Sequence, residues 1–428
     1  MKVKKVFLVV FSSLIFIFGY SGYSQAISLN DAIDIALKNN LQISLTRERV
    51  RQAEQKVKEA TAGYLPSINL NGTYTHLGKV PSMSTPFGEF PMGEQDTTSL
   101  TFSLTQPLYT GGRLTLNSKQ AKLNYLRAEK ELQQTQSEVI YQVKEGFYSV
   151  LLATKNLEIA QRALNQAKAH LEIVESFYKS GRASRFDLLR AKVEVANLKP
   201  DVIKARNNLS LARERLAGIL SVPSSSLDLE GELEFKSLTL TLDDAIKIAF
   251  NSRGDLNSLK LQEEIARVSL QVAKVRNFPS LSFVGNYQFT HPGEREEWDK
   301  DWNISLVLSF PFFDMGKRAF VKERESQLRQ VQLAIKQLKD AIQLEVKKAF
   351  WDMEAAKEAI AAQKKNIQQA QEALFIAEAR YRSGTITQIE VLDASLALTR
   401  ARLGYTRALY NYNMAKAALI KAIGKIKE

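Results

Sequence analysis

Three histidines are the chain's whole stock of imidazole, and none sits where imidazole does chemistry. His76 and His291 fall near the ends of segments that alternate apolar and polar residues, and His170 lies inside a long Ala- and Leu-rich stretch. No His-Glu-x-x-His pairing or other ligand spacing accompanies them, so a zinc hydrolase has no ligand set here. Gly316-Lys317 lacks the upstream glycine spacing of a phosphate-cradling loop, and no serine occupies a Gly-x-Ser-x-Gly elbow. The absence of cysteine excludes thiol catalysis, thiolate metal sites, disulfides and lipidation of an N-terminal cysteine. Carboxylates are abundant but fall at the spacings of solvated helix faces. The expectation is a protein with no catalytic residues, no cofactor and no metal site, and therefore not an enzyme.

What the sequence does carry is architecture, written twice. Leu29-Asn30-Asp31-Ala32-Ile33 returns as Leu242-Asp243-Asp244-Ala245-Ile246, and the register of 213 holds to Leu65-Pro66-Ser67 against Phe278-Pro279-Ser280. Farther on, Gln106-Pro107-Leu108-Tyr109 meets Phe310-Pro311-Phe312-Phe313, and Tyr178-Lys179-Ser180-Gly181 meets Tyr381-Arg382-Ser383-Gly384. Each half reads helix, strand, loop, strand, very long helix, turn, helix. The first repeat covers 27–220, with strands at 67–77 and 98–109, a long helix at 112–180 and a return helix at 184–219. A linker at 221–240, rich in serine and glutamate, leads to the second repeat at 241–428. There the strands are 280–290 and 301–313, the long helix 314–382 and the return helix 386–421.

The long helices are coiled-coil helices. Val143, Val150, Leu157, Leu164, Leu171 and Tyr178 keep a seven-residue spacing, alternating with Val139, Gly146, Ala153, Ala160, Ala167 and Val174. Val346, Met353, Ile360, Ile367, Leu374 and Tyr381 alternate in the same way with Ile342, Ala349, Ala356, Gln363, Ala370 and Ala377. Residues 112–180 span about 100 Å at the helical rise. The flanking helices, 30–62 and 184–219 in one half and 241–276 and 386–421 in the other, together match that length. Pro200 inside 184–219 removes a backbone donor and predicts a bend one turn upstream, near Val195–Ala196.

After Pro66 the period falls to 2. Ile68, Leu70 and Tyr74 alternate with Asn69, Asn71, Thr73 and Thr75, and Leu100, Phe102, Leu104 and Leu108 with Thr101, Ser103 and Thr105. In the second half Leu281, Phe283, Tyr287 and Phe289 alternate with Ser282, Asn286, Gln288 and Thr290. Trp302, Ile304, Leu306, Leu308, Phe310 and Phe312 alternate with Asn303, Ser305 and Ser309. Strands of this length with one apolar face suit a tilted crossing of a bilayer, and Tyr109, Phe312 and Phe313 at one end with Trp298 and Trp302 towards the other resemble interface girdles. A soluble sheet with one face on a core would alternate too, but here the helices already bury their own seams. In lipid, four strands cannot close a barrel, so the chain must oligomerise, giving eight strands as a dimer or twelve as a trimer, around a polar, water-filled lumen.

Residues 1–26 read as a secretory signal, with Lys2, Lys4 and Lys5, an apolar run from Val6 to Phe18, and Ser24-Gln25-Ala26 at the cleavage site. The alternative is an uncleaved anchor, for which the run is too short to span. The net charge is +13. Lys and Arg are interleaved with Glu and Gln along helical surfaces, which argues for a solvated face with some attraction to anionic lipid rather than for nucleic acid.

The junction Gln106-Pro107-Leu108-Tyr109-Thr110-Gly111-Gly112-Arg113, its weaker echo from Phe310 to Arg318, the turns at 178–189 and 381–393, and the duplication together resemble the TolC-like outer membrane efflux proteins over nearly all of the mature chain. The resemblance implies a homotrimer whose twelve strands form one outer-membrane barrel continued by a tapering barrel of periplasmic helices. It implies the exit duct of a tripartite efflux pump, partnered by a periplasmic adaptor and an inner-membrane transporter, in a Gram-negative bacterium. A duct for type I protein secretion is the nearest alternative, and a non-transport coiled-coil surface protein is one of a different class. By the same resemblance Glu390 and Asp393 match an acidic pair at the periplasmic constriction, and Tyr381 matches a tyrosine that helps hold the constriction shut. Two departures stand out: Ile386 occupies the place of an arginine, and Arg182, Arg185 and Arg190 surround Asp187, which makes the mouth less acidic than the family pattern.

Both turns carry a glycine suited to positive φ, Gly181 and Gly384, followed by a hydroxyl able to cap the next helix, Ser184 and Thr385 or Thr387. With Arg182, Ala183 and Ile386 they form two tips about 100 Å of helix away from the strands. Ala183, Ile386 and Ile389 put small or apolar groups on tips expected to be wet, which points to adaptor docking there. Cleavage after Ala26 should leave Ile27 as the first residue of membrane-derived protein. N-terminal sequencing that returned Met1 would remove the case for export.

Overall fold

The computed structural model describes residues 27–293 and 297–425. The expected signal at 1–26 lies outside them. The elements in chain order are α1 (Leu29–Asn39), α2 (Leu41–Ala62), β1 (Ser67–His76), β2 (Ser82–Thr85), β3 (Gly88–Pro91), β4 (Asp96–Tyr109), α3 (Arg113–Lys179) and α4 (Arg185–Leu220). After a 3-10 turn at Ser224–Ser226 come α5 (Leu242–Ser252), α6 (Gly254–Lys274), β5 (Ser280–Pro292), β6 (Asp299–Ser309), α7 (Gly316–Arg382) and α8 (Gln388–Ala422). Among the described residues no helix is long and apolar enough to cross a membrane.

The sheet is antiparallel in the order β1-β4-β5-β6, so the two repeats meet at β4 and β5. Its register sorts the side chains. Leu70, Phe102, Tyr287 and Trp302 lie in one cross-strand row, and Ile68, Leu104, Gly285 and Ile304 in another. The intervening rows are Asn71, Thr101, Gln288 and Asp301, then Asn69, Ser103, Asn286 and Asn303. One face is therefore apolar and the other polar across all four strands, because side chains alternate with period 2. Along the polar face the Asn286 amide donates to the Asn303 carbonyl at 3.1 Å. Strand β6 stops at Ser309 rather than 313, since Pro311 has no N–H to give a ladder. A separate hairpin, β2–β3, stands on the loop between β1 and β4, where the sequence read only as irregular chain.

Helices α2 and α4 lie along successive parts of α3, while α6 and α8 lie along α7 and also touch α3. The result is a wall with the order α4-α3-α8-α7 near the tips and α2-α3-α6-α7 near the sheet. The seam residues that spacing singled out are largely inside: Val139, Val143, Val150, Leu164 and Val174 on α3, and Ile342, Val346, Met353, Ile360, Leu374 and Tyr381 on α7. Tyr178, at the end of its row, is 42% exposed. The largest apolar cluster sits mid-length, where α1 and α5 pack on α3 and α7. The chain after α4 lies across it as a strap. Leu227 and Leu233 are buried, Tyr412 Oη donates to the Lys236 carbonyl at 2.9 Å, and Asn413 Nδ2 donates to that of Glu234 at 3.0 Å. Helix α4 remains helical through Pro200.

Two helices expected to be continuous, 30–62 and 241–276, are each broken. The breaks fall at Asn40 and Arg253, which are equivalent in the 213 register. Asn40 accepts from the Gln42 N–H at 2.9 Å, capping α2, and donates to the Ile219 carbonyl at 2.8 Å. Arg253 is 8% exposed and reaches the equivalent carbonyl, Ala422 O, at 3.2 Å. Its guanidinium also forks onto Asp255 at 3.1 and 2.7 Å and meets Glu345 at 2.5 Å. One polar side chain thus fastens each break to the end of its return helix, by an amide in one half and a cation in the other. Arg253→Ala would strip two carboxylates and a carbonyl of their buried partner and should cost about 2–3 kcal/mol. Thermal unfolding in detergent should show a lowered midpoint, restored only in part by Arg253→Lys, which cannot form the fork.

Candidate functional site at the helical tips

Each hairpin tip ends its long helix in the same way. In the first, Gly181 at φ +75° donates to the Tyr178 carbonyl at 3.0 Å and Arg182 N donates to Phe177 O at 2.7 Å. In the second, Gly384 at φ +78° donates to Tyr381 O at 3.0 Å and Thr385 N to Arg380 O at 3.0 Å. These are paired Schellman closures, which need a residue free of the left-handed penalty at the glycine position. The next helices start on carboxylates. Asp187 Oδ2 accepts from the Ser184 N–H at 3.1 Å and its hydroxyl at 2.6 Å, while Ser184 Oγ accepts from Asp187 N at 3.1 Å. Glu390 Oε1 accepts from the Thr387 N–H at 3.3 Å and its hydroxyl at 3.4 Å. The cap at Thr387 also explains why α8 starts at Gln388 and not at 386.

The two tips are tied together. Arg182 stacks over Phe177 at 4.2 Å and donates to the Arg382 carbonyl at 3.3 Å. Gln388, 2% exposed, donates across to the Asp187 carbonyl at 3.0 Å, and Gln166 donates to Glu378 at 3.3 Å. Beneath them Val174, Ala191, Leu374, Ala377, Tyr381, Val391 and Leu398 form a separate apolar cluster. Tyr381 is buried in it, with ring centroids 5.2 Å from His170 and 5.8 Å from Phe177. Burial first, and then the Asp187 charge, push the Tyr381 phenol above its ordinary range. Tyr381 and Asp187 are therefore neighbours, whereas Glu390 and Asp393 are exposed and make no ion pair among the described residues.

Ala183 and Ile386 are not free on the surface. Both are half-buried and pack against the tip's own cluster. The apolar groups left in the open are Phe186, Leu189 and Ile389, exposed by 68%, 52% and 42%. Gly181, Arg182, Ser184, Gly384, Thr385 and Thr387 are exposed. Sequence reasoning passed over His170 and Gln388. His170 Nε2 and Gln388 Oε1 are buried without a hydrogen-bond partner among the described residues. The only sequence signal was that His170 adjoins the seam position Leu171.

With this geometry in view, the chain is of a definite class: a wall of paired long helices carrying an open, two-faced antiparallel sheet at one end. It belongs to the outer membrane efflux protein family, whose sequence pattern matches residues 32–222 and 245–425. Outer membrane protein TolC of Escherichia coli (strain K12) is 24% identical over 435 residues, covering 96% of this chain and 85% of that protein. Cation efflux system protein CusC of the same strain is 22% identical over 408 residues, covering 92% and 85%. The solved outer membrane protein VceC of Vibrio cholerae has the same fold, with a TM-score of 0.78 at 18% identity and coverage of 93% of this chain and 96% of that one. CusC is named as an efflux protein, and further solved structures of the same fold, among them OprN and CmeC of Campylobacter jejuni, are named as outer membrane channels.

Burial holds the His170 imidazole below its ordinary value of 6.5, although Glu378 and Gln388 pull the other way. A depressed folded-state value means that the unfolded chain takes up the proton more readily. The stability is therefore fully present above about pH 6.5 and is lost as pH falls through the folded-state value. Hydrogen exchange over 166–178, corrected for intrinsic rates, should show weaker protection at about pH 5.5 than at about pH 7.5. His170→Gln should flatten that difference.

Proposed function

We propose that three copies of the chain form one outer-membrane channel, serving as the exit duct of a tripartite efflux pump in a Gram-negative bacterium. The observation that carries this reading is the pair of free edges. Among the described residues β1 and β6 each have one unpaired side, and the helices joined to them, α2 and α7, are also the outermost of the wall near the sheet. In hydrocarbon every backbone donor and acceptor needs a partner, so β6 of one copy must pair with β1 of the next. Three copies supply 3 × 4 = 12 strands, within the range of closed membrane barrels. The apolar face then meets lipid and the Asn, Ser, Thr and Gln face lines water. The wall closes in step, α7 of one copy against α2 and α4 of its neighbour, into a helical duct reaching across the periplasm.

At the tips, Glu390 and Asp393 supply six carboxylates in a trimer, with Asp187 and Tyr381 behind them and Arg182, Arg185 and Arg190 close by. This is the reading's constriction. Its docking surface for a periplasmic adaptor, which couples the duct to an inner-membrane transporter, comprises the turns at 181–184 and 384–387 flanked by Phe186, Leu189 and Ile389. Burial of Ala183 and Ile386 in the tip's own cluster shifts the exposed apolar contact to those three residues.

Purified protein should have a trimeric mass in mild detergent and give discrete single-channel conductance in planar bilayers. Glu390→Ala with Asp393→Ala should keep trimer yield and reduce both cation preference and block by polyvalent cations, since narrow low-dielectric walls strengthen the carboxylate field. A stable monomer would sink the barrel. Unchanged selectivity and block in the double variant would place the constriction elsewhere.

A further inference from the structure

The strands meet the helices at four junctions, and these lie side by side. Gln106 donates to the Tyr64 carbonyl at 2.9 Å, and Tyr64 pairs with Thr115 at 3.2 Å. Gly111 sits so close to Phe278 that a Cβ would lie 2.4 Å from its side chain. Arg276 approaches Asp314 at 3.6 Å, and the guanidinium groups of Arg276 and Arg324 flank the Phe320 ring at 5.1 and 4.7 Å. Together the junctions make a collar around one end of the molecule.

The collar's charge is one-sided. Segments 62–66, 105–118, 272–282 and 308–325 contain Arg113, Lys274, Arg276, Lys317, Arg318, Lys322 and Arg324 against Asp314, Glu323 and Glu325, a balance of 7 − 3 = +4. Asp314 already faces Arg276 and Glu323 faces Arg324, and the other five cations make no ion pair among the described residues. Elsewhere the chain treats helix starts differently. Asp31, Asp187, Asp243 with Asp244, Asp255 and Glu390 open α1, α4, α5, α6 and α8, and Asn40 caps α2. Among the described helices only α3 and α7 have neither an acid in the first turn nor a capping side chain at the N-cap itself, and both first turns carry cations. One residue or two further out, Thr110 Oγ1 accepts from the Leu114 N–H at 3.3 Å and Asp314 Oδ1 from the Gly316 N–H at 2.9 Å. Arg113, Lys317 and Arg318 thus stand at the positive ends of two 67-residue helices, where cations are unfavourable. The single Asp314 carboxylate, shared between Arg276 and the α7 start, leaves them in excess. Immediately on the strand side, Phe312, Phe313 and Met315 are 87%, 79% and 81% exposed, and Leu108 and Tyr109 are more than half exposed.

We propose that this collar binds the headgroups of anionic phospholipids in the leaflet facing the helices. Their phosphates lie on Arg113, Lys317 and Arg318, and their acyl chains against the neighbouring aromatic residues. The order of apolar belt then cation belt is that of a leaflet's acyl and headgroup layers. Charge complementarity selects an anionic headgroup over a zwitterionic one. The inference rests on the membrane-embedded sheet proposed above and adds a ligand class and the residues that hold it.

The test is native mass spectrometry of the detergent-purified protein titrated with phosphatidylglycerol or phosphatidylcholine. Wild type should retain phosphatidylglycerol in preference. Arg113→Gln/Lys317→Gln/Arg318→Gln should require about a hundredfold more of it, at roughly fivefold per cation near the surface. The charge-matched control Lys347→Gln/Lys364→Gln/Lys365→Gln, far down α7, should bind like wild type. Equal retention of both lipids, equal loss in the control, or displacement by millimolar inorganic phosphate would overturn the assignment. Single-channel conductance of the same variants separates the two readings. A collar variant that conducts normally but retains lipid as wild type does refutes only the collar, and a wild type that never conducts refutes the channel.

Discussion

An unpaired backbone is the constraint on which the rest of this molecule depends. The outer edges of β1 and β6 each present a row of N–H and C=O groups with no ladder partner among the described residues. Water would satisfy them, and hydrocarbon would not. Once the apolar face is in lipid, the edges force a ring of copies. Because β1 follows α2 and β6 precedes α7, closing the sheet also dictates which helices meet below it. The long coiled-coil seams then hold the helices of the wall side by side beneath the sheet. Their alternation of large and small residues, Val150, Leu157 and Leu164 against Gly146, Ala153 and Ala160, permits close helix approach.

Duplication supplies that architecture with two versions of each joint, and the versions have diverged in chemistry while keeping their geometry. At the mid-length breaks an amide, Asn40, and a guanidinium, Arg253, reach equivalent carbonyls. At the tips Ser184 with Asp187 and Thr387 with Glu390 open equivalent helices after the same glycine closure. The backbone demand is identical in each pair, so the side chain is free to vary wherever it meets that demand. Asp187 therefore does two things, capping α4 and adding its charge to the burial that raises the Tyr381 phenol.

Much of this architecture is legible in the sequence. The seven-residue rows located the helix seams, and the change to period 2 after Pro66 located the sheet and its two faces. Glycine at 181 and 384 announced the tips, because few other residues adopt that φ cheaply. Other features depended on tertiary contacts. Asn40 and Arg253 read as ordinary helix-surface residues, and only their distant partners, Ile219 and Ala422, turn them into breaks. The β2–β3 hairpin was hidden among Pro81, Pro86 and Pro91, which argue against strands. Burial of His170 and Gln388 likewise arises only when the ends of α3, α4, α7 and α8 converge. The same convergence withdrew Ala183 and Ile386 from the exposed surface.

The pairing of β4 with β5 has a kinetic side. Thr101 faces Gln288 across the ladder, a separation of 288 − 101 = 187 residues that spans all of α3, α4, α5 and α6. Helical hairpins form from neighbours, whereas this contact must wait for a long loop to close. The wall should therefore assemble ahead of the sheet, leaving apolar strands briefly without partners in an aqueous compartment. In that interval the chain is most prone to aggregate, and the helices, by bringing the strand ends together, shorten it.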